Sequence, residues 1–141
     1  MKDYFSPAMP HEAVNAISSL GLAHVGDAVY ELLVRTWLCA HGRLTSRGLH
    51  RETVALVRAP AQAKAMARLL PQLSEAETAV YKRARNARVN SVPKGAALGE
   101  YHAATGMEAL FGWLYLQQRY DRLNELFGIL LPAAQAWSNQ K

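Results

Sequence analysis

Apolar residues recur at intervals of three and four positions along most of the chain, and this spacing predicts amphipathic helices. No segment shows the strict alternation of apolar and polar residues that a half-buried strand requires. Residues typical of helix starts and ends divide the pattern into seven segments. The predicted helices cover residues 11–20, 22–40, about 46–57, 61–70, 75–86, 98–118 and 120–136. The predicted fold class is all-α, a helical bundle.

Several boundaries of these helices rest on single residues. Gly21 is expected to separate the first two helices, because glycine is a poor residue inside a helix. Thr45 or Ser46 is expected to cap the third helix, and Ser74 with Glu77 has the spacing of a capping box. Pro132 is expected to kink or end the last helix.

Length and composition indicate one folded domain over residues 1–141, with no second module after the last helix. The chain has 141 residues, of which 50% are hydrophobic and 19% charged. It contains no apolar run of the roughly 20 residues that span a bilayer, and its N-terminus lacks the apolar stretch of a secretory signal. A single cysteine excludes an internal disulfide and a cysteine zinc site. We therefore expect a cytoplasmic protein that is not associated with a membrane.

The net charge of +5 is distributed unevenly. No acidic residue occurs between Glu77 and Glu100, and this gap favours an anionic partner such as nucleic acid. A solvated surface is an equally good explanation of a cluster of like charges. Because Tyr81 is the only aromatic residue nearby, contact with backbone phosphates is favoured over stacking on bases. The basic residues in the gap are Lys82, Arg83, Arg85, Arg88 and Lys94.

The predicted second helix carries two carboxylates. Asp27 and Glu31 lie one turn apart on one face. The opposite face carries apolar residues that are expected to face the core, namely Leu22, Val25, Val29 and Leu32. Gly26 allows another backbone or a substrate to approach closely. The simplest interpretation of this segment is an amphipathic helix with Glu31 paired to Arg35.

The predicted sixth helix carries a further carboxylate. Tyr101, Thr105, Glu108 and Gly112 lie on one of its faces. Gly106 and Gly112 each cost about 1 kcal/mol relative to alanine inside a helix. We therefore expect both glycines to permit a close approach by another part of the chain.

The two acidic segments resemble a known pattern. Gly26-Asp27-Ala28-Val29 and Glu108-Ala109-Leu110-Phe111-Gly112 resemble the two acidic motifs of the ribonuclease III endonuclease domain, and most closely those of its short members, called Mini-ribonuclease III. The resemblance extends over residues 22–126, and the order and spacing of the segments make it specific. Further matching segments are Leu22-Ala23, Gln62-Ala63-Lys64-Ala65, Arg85-Asn86-Ala87, Val92-Pro93-Lys94 and Thr105-Gly106.

The resemblance implies a Mg²⁺-dependent endoribonuclease with the helical fold of that domain. Asp27 and Glu108 are the expected catalytic residues and metal ligands, since Mg²⁺ prefers oxygen ligands. The resemblance also implies a homodimer that binds double-stranded RNA across both subunits and leaves 5′-phosphate and 3′-hydroxyl ends. Precursor 23S ribosomal RNA is the expected substrate.

The chain departs from the larger ribonuclease III enzymes in two respects. Ala23 and Thr105 occupy positions where those enzymes have acidic residues, a reduction that the short members share. Thr105, Glu31 and His24 are possible supporting residues. We expect no double-stranded RNA-binding domain after this one, so this domain itself is expected to bind the RNA. The expected RNA-binding residues are Lys82, Arg83, Arg85, Asn86, Arg88, Lys94 and Lys64, with Arg68 as a further candidate.

Two other functions fit the same sequence. The missing acidic residues motivate a catalytically silent RNA-binding protein on the same scaffold. The acidic face of the second helix would also suit a helical adaptor that binds another protein.

Overall fold

A computed structural model describes residues 1–41, 45–87 and 97–138, which form helices and contain no strand. The all-α prediction is confirmed. A short 3₁₀ turn, Leu70–Gln72, follows the fourth helix. The helices are α1 (His11–Asn15), α2 (Ser19–His41), α3 (Ser46–Val57), α4 (Ala59–Leu69), α5 (Glu75–Arg85), α6 (Leu98–Leu116) and α7 (Tyr120–Ser138).

Helix α6 forms the centre of the domain and packs against α2, α4, α5 and α7. Its side chains Met107, Leu110, Phe111 and Leu114 are fully buried. A helix that is apolar on all sides is stable only when other helices cover it. Within the described residues, none of the helices is both long and apolar enough to cross a membrane.

The boundary between α1 and α2 differs from the prediction. Helix α1 ends at Asn15, and α2 begins at Ser19, so Gly21 lies inside α2. The backbone N–H of Gly21 donates to the Ser18 hydroxyl at 3.0 Å, which is a helix-capping contact. The expectation that Gly21 separates the two helices is therefore wrong, because a serine cap places the helix start before it.

The predicted caps further along the chain are confirmed. The Thr45 hydroxyl accepts from the N–H of Gly48 at 3.1 Å. The Ser74 hydroxyl accepts from the N–H of Glu77 at 3.2 Å, while the Glu77 carboxylate accepts from the N–H of Ser74 at 2.8 Å. Helix α7 does not end at Pro132 but continues to Ser138, although an internal proline removes one backbone hydrogen bond and its ring crowds the preceding turn.

A buried ion pair joins α5 to α7. Glu77 is only 1% exposed, and Arg122 donates to its two carboxylate oxygens, each at 2.8 Å. Arg122 also donates to the carbonyl of Gln72 at 2.9 Å. Hydrogen bonding to Arg122 lowers the pKa of Glu77, and this effect outweighs the opposing effect of burial. The sequence indicated the cap role of Glu77 but not this pairing.

The apolar face predicted for α2 is not its buried face. The buried residues of α2 include Ala23, Gly26 and Tyr30 in addition to Leu22. In contrast, Leu32 is 48% exposed, and Val25 and Val29 are only partly buried. An apolar strip on α2 therefore lies at the surface of this chain.

Candidate active site

Helices α2 and α6 are in direct backbone contact at two glycines. A Cβ atom on Gly26 would lie 1.5 Å from the carbonyl oxygen of Glu108. A Cβ atom on Gly112 would lie 2.0 Å from the carbonyl oxygen of Leu22. Only glycine allows the backbones of the two helices to come this close, and the sequence predicted a close approach at both positions. The contact places Asp27, which follows Gly26, beside Glu108.

Burial and the proximity of Asp27 change the protonation of Glu108. Burial raises the pKa of Glu108 to about 8, and the negative charge of Asp27 and hydrogen bonding to it act in the same direction. A hydrogen bond from Gln62 opposes the increase. The raised pKa favours a proton on Glu108 at neutral pH in the metal-free protein. A bound cation would replace that proton and remove the repulsion between the two carboxylates.

Gln62 of α4 is the third polar side chain of this site. It is 2% exposed, and its amide nitrogen donates to the Glu108 carboxylate at 3.3 Å and to the carbonyl of Val57 at 2.7 Å. No donor among the described residues reaches the amide oxygen of Gln62. The sequence analysis assigned Gln62 no role. The available signal was a lone polar side chain on the otherwise apolar side of α4.

The donor set fits a hydrated Mg²⁺ ion. Mg²⁺ is commonly bound by one or two carboxylates and retains several waters. In the part of the chain that the structure describes, no cluster of three or more His, Cys, Asp or Glu residues could hold a metal. Ala23 and Thr105 are both buried, at 7% exposure, and neither adds a charge. A cation here would therefore rely on Asp27, Glu108 and water.

The predicted supporting residues have identifiable structural contacts. Glu31 accepts from Arg35 at 2.9 Å, as the simplest interpretation of α2 expected. The Thr105 hydroxyl donates to the carbonyl of Tyr101 in its own helix at 3.0 Å. His24 is exposed. Their participation in the chemistry stays a prediction.

The end of α5 carries part of the predicted RNA-binding surface. Lys82, Arg83 and Asn86 are exposed, and the guanidinium of Arg85 lies 5.5 Å from the centre of the Tyr81 ring. Lys64 and Arg68 are exposed on α4. Arg88 and Lys94 lie outside the described residues.

Two contacts fix the end of α5 against α6. A Cβ atom on Gly106 would lie 2.5 Å from the Tyr81 ring, so this glycine accommodates the tyrosine, as the sequence predicted. The His102 Nδ1–H donates to the carbonyl of Arg85 at 2.6 Å. Histidine spacing in the sequence gave no indication of this contact. The basic residues are thus anchored to the helix that carries Glu108.

An apolar groove of about 310 Å³ lies on the outer face of α2. It combines the exposed strip of α2 with aromatic side chains from the N-terminal segment and α6. Exposed apolar surface of this kind is typical of protein contact sites. The lining residues are Phe5, His24, Val25, Ala28, Val29, Leu32 and Tyr115.

Comparison with known proteins identifies the family of the chain. Residues 20–119 match the family described as Ribonuclease III domain. The chain is 44% identical over 115 residues to a Mini-ribonuclease 3 from Thermoanaerobacter sp. (strain X514), covering 82% of this chain and 81% of the relative. It is 43% identical over 124 residues to a Mini-ribonuclease 3 from Synechocystis sp. (strain ATCC 27184 / PCC 6803 / Kazusa), covering 86% and 84%.

A solved structure supports the same fold. The X-ray crystal structure of a protein from Fusobacterium nucleatum aligns with a TM-score of 0.77 at 27% sequence identity. The alignment covers 83% of this chain and 95% of that protein. The family match over residues 20–119 includes both Asp27 and Glu108.

Proposed function

The chain belongs to the ribonuclease III family and is similar over most of its length to Mini-ribonuclease 3 proteins, and we propose that it cleaves double-stranded RNA with the help of a Mg²⁺ ion held by Asp27 and Glu108. The family assignment makes the chain an endoribonuclease that acts on structured RNA. The main support for the proposed site is the backbone contact between Gly26 and Glu108. It brings the carboxylates of Asp27 and Glu108, which come from distant segments, close to each other.

The residues of the site have distinct tasks in this proposal. Asp27 is exposed and could reach a bound duplex, whereas Glu108 is partly buried and would release its proton on binding a cation. When bound, Mg²⁺ supplies a nucleophile from water and stabilises charge on the phosphate and the leaving 3′ oxygen. Gln62 holds the Glu108 carboxylate in place through its amide nitrogen. Hydrolysis in this way leaves 5′-phosphate and 3′-hydroxyl ends.

The basic residues bind the RNA backbone. Double-stranded RNA is recognised mainly by shape and by contacts to phosphates and 2′-hydroxyls. Exposed Lys82 and Arg83, together with Arg85 and Asn86, suit such contacts at the end of α5. Lys64 of α4 is a further candidate, and Arg88 and Lys94 are proposed on the sequence alone. The affinity should decrease steeply as salt increases.

A homodimer is the proposed active form. The groove on the outer face of α2 includes Leu32, which is 48% exposed, and Phe5, which is 68% exposed. A second copy would cover this apolar surface and bring two sites to one RNA duplex, so that each site cuts one strand. Dimerisation by twofold symmetry is the commonest arrangement of homo-oligomers. Sedimentation or scattering at micromolar concentration tests this proposal, and a monomeric mass would contradict it.

Precursor 23S ribosomal RNA is the proposed substrate, and the cytoplasm is the proposed location. Both follow from the resemblance to the short family members. A transcript that carries the paired ends of the precursor should be cut at fixed positions and faster than an unrelated duplex of equal length. Equal rates on the two RNAs would indicate a general activity on duplex RNA. They would contradict the proposal that precursor 23S ribosomal RNA is the specific substrate.

The central test is cleavage of long double-stranded RNA by the purified protein with Mg²⁺ and with a chelator. Asp27→Asn and Glu108→Gln should each abolish cleavage while RNA binding remains. Glu12→Gln, which neutralises an exposed carboxylate of α1, is the matched control and should leave the rate unchanged. Cleavage in chelator, or wild-type rates for both site variants, would refute the proposal. RNA binding without cleavage by the wild type would favour the silent RNA-binding alternative.

A further inference from the structure

We propose that Gln62 is a positioning residue for the cation: its amide nitrogen orients the Glu108 carboxylate, and its amide oxygen accepts a hydrogen bond from the hydration shell of the ion. The inference rests on the proposed function, because it assumes the metal site at Asp27 and Glu108. It adds a third helix, α4, to the two acidic helices of the site.

The contacts of Gln62 determine the orientation of its amide group. The carbonyl of Val57 can only accept, and the Gln62 nitrogen lies 2.7 Å from it. If the amide group were reversed, two oxygens would face each other at that distance. The nitrogen therefore faces Val57, and its second hydrogen is available to Glu108, whose carboxylate oxygen lies 3.3 Å away.

The amide oxygen of Gln62 is an unusual feature of a buried side chain. Buried polar atoms almost always have a hydrogen-bond partner, and leaving one without a donor destabilises the fold. Among the described residues, no donor reaches this oxygen although the side chain is only 2% exposed. Packing alone would favour an apolar residue of similar length, such as methionine. Mg²⁺ retains several waters when carboxylates bind it, and in this proposal one of those waters supplies the donor that the oxygen lacks.

A merely structural role for Gln62 gives different expectations. Gln62 could serve only a structural purpose, by donating a hydrogen bond to the Val57 carbonyl at the start of α4. In that case its replacement would reduce the stability of the fold without changing metal binding. If it positions the metal site, its replacement should weaken metal binding and leave the metal-free fold intact. Partners of metal ligands typically contribute about 10- to 100-fold to metal affinity or activity.

The experiment compares Gln62→Met with the wild type and with Met66→Leu. Met66 is also buried on α4, one turn further along, and serves as the matched control. Calorimetric titration with Mn²⁺ gives the metal affinity, and thermal unfolding in chelator gives the stability of the metal-free protein. Gln62→Asn, which keeps the amide but is one methylene shorter, provides a second variant if Gln62→Met does not fold.

We expect Gln62→Met and Gln62→Asn to weaken Mn²⁺ binding about tenfold or more, by the usual contribution of such partners. The melting temperature of Gln62→Met in chelator should stay close to that of the wild type, because loss of the hydrogen bond to Val57 and removal of the unpaired amide oxygen act in opposite directions. The KM for RNA should stay constant while kcat at a fixed low Mg²⁺ concentration falls, and added Mg²⁺ should restore part of the rate. Met66→Leu should bind Mn²⁺ within twofold of the wild type.

Wild-type Mn²⁺ affinity in the Gln62 variants would overturn the inference, as would an equal loss in Met66→Leu. The absence of any Mn²⁺ binding by the wild type would overturn it together with the proposed function. Metal binding that depends on Gln62 but is not accompanied by RNA cleavage would refute the proposed function alone. Metal-dependent cleavage that is insensitive to Gln62 would refute only the role of this residue.

Discussion

Replacing Gly26 with alanine tests the backbone contact on which the proposed site depends. The added Cβ would lie 1.5 Å from the Glu108 carbonyl oxygen, 2.5 Å from the Glu108 carbonyl carbon and 2.7 Å from the Gly112 nitrogen. All three atoms belong to the backbone, so no side chain can rotate away. The only available response is a separation of α2 from α6.

The size of this separation follows from the contact distances. Ordinary contact begins at about 3.4 Å, so the helices must move apart by nearly 2 Å at this crossing. Overpacking of a core typically costs about 1–3 kcal/mol, and a contact made only of backbone atoms should reach the upper end of that range. A misplacement of about 1 Å can reduce a catalytic rate about 10²-fold. We therefore expect Gly26→Ala to lose about 3 kcal/mol of stability and to cut RNA at least 10²-fold more slowly.

Gly128→Ala is the control, because a Cβ at Gly128 of α7 meets nothing within 4 Å. Alanine in an open helix position should stabilise the protein by about 0.5–1 kcal/mol. Urea unfolding gives the two changes in stability, and cleavage well below the melting temperature gives the rates. Wild-type stability or a wild-type rate in Gly26→Ala would refute the close contact of α2 with α6.

Three other predictions concern charge. In chelator, the wild type should lose stability as the pH rises from about 4.5 towards about 8, because folded Glu108 keeps a proton that the unfolded chain releases. Glu108→Gln should lack this slope in urea unfolding at several pH values, and parallel curves for the two proteins would contradict the reasoning. Glu77→Gln should cost about 3–5 kcal/mol, because it leaves the guanidinium of Arg122 without its buried partner, and urea unfolding at neutral pH measures the loss. A loss below 1 kcal/mol would show that the ion pair contributes little. Lys82→Gln with Arg83→Gln should reduce the salt dependence of RNA affinity by about one unit of slope per charge in binding titrations. An unchanged salt dependence would indicate that the RNA does not contact these two residues.

The local features of the fold could be predicted from the sequence because their causes are local. The caps at Thr45 and Ser74 join residues three positions apart, within the span that a sequence pattern covers. The glycines at 26, 106 and 112 were informative because they occur inside helices, where they are costly without a reason. The error at Gly21 shows the limit of that argument, since the cap at Ser18 makes a glycine acceptable in the first turn.

The remaining features depend on contacts between residues that are far apart in the chain. Gln62 and Glu108 are separated by 46 positions, and Glu77 and Arg122 by 45. Periodicity places each residue on a face of its helix but does not say which other helix covers that face. The resemblance supplied the pairing of Asp27 with Glu108 because the family fold already contains it. It did not assign Gln62, whose role depends on how α4 packs against α6.

The absence of acids at positions 23 and 105 has a physical consequence for metal binding. Ala23 and Thr105 are buried, so a carboxylate at either position would need a cation to offset its desolvation. With only Asp27 and Glu108 at the site, a proton on Glu108 is enough to relieve the repulsion between the two side chains in the metal-free protein. Metal binding must then displace that proton, because the pKa of Glu108 is raised to about 8. The apparent Mn²⁺ affinity should therefore increase between pH 6.5 and 8.5 in calorimetric titrations, and a constant affinity across this range would mean that Glu108 is already ionised before the metal binds.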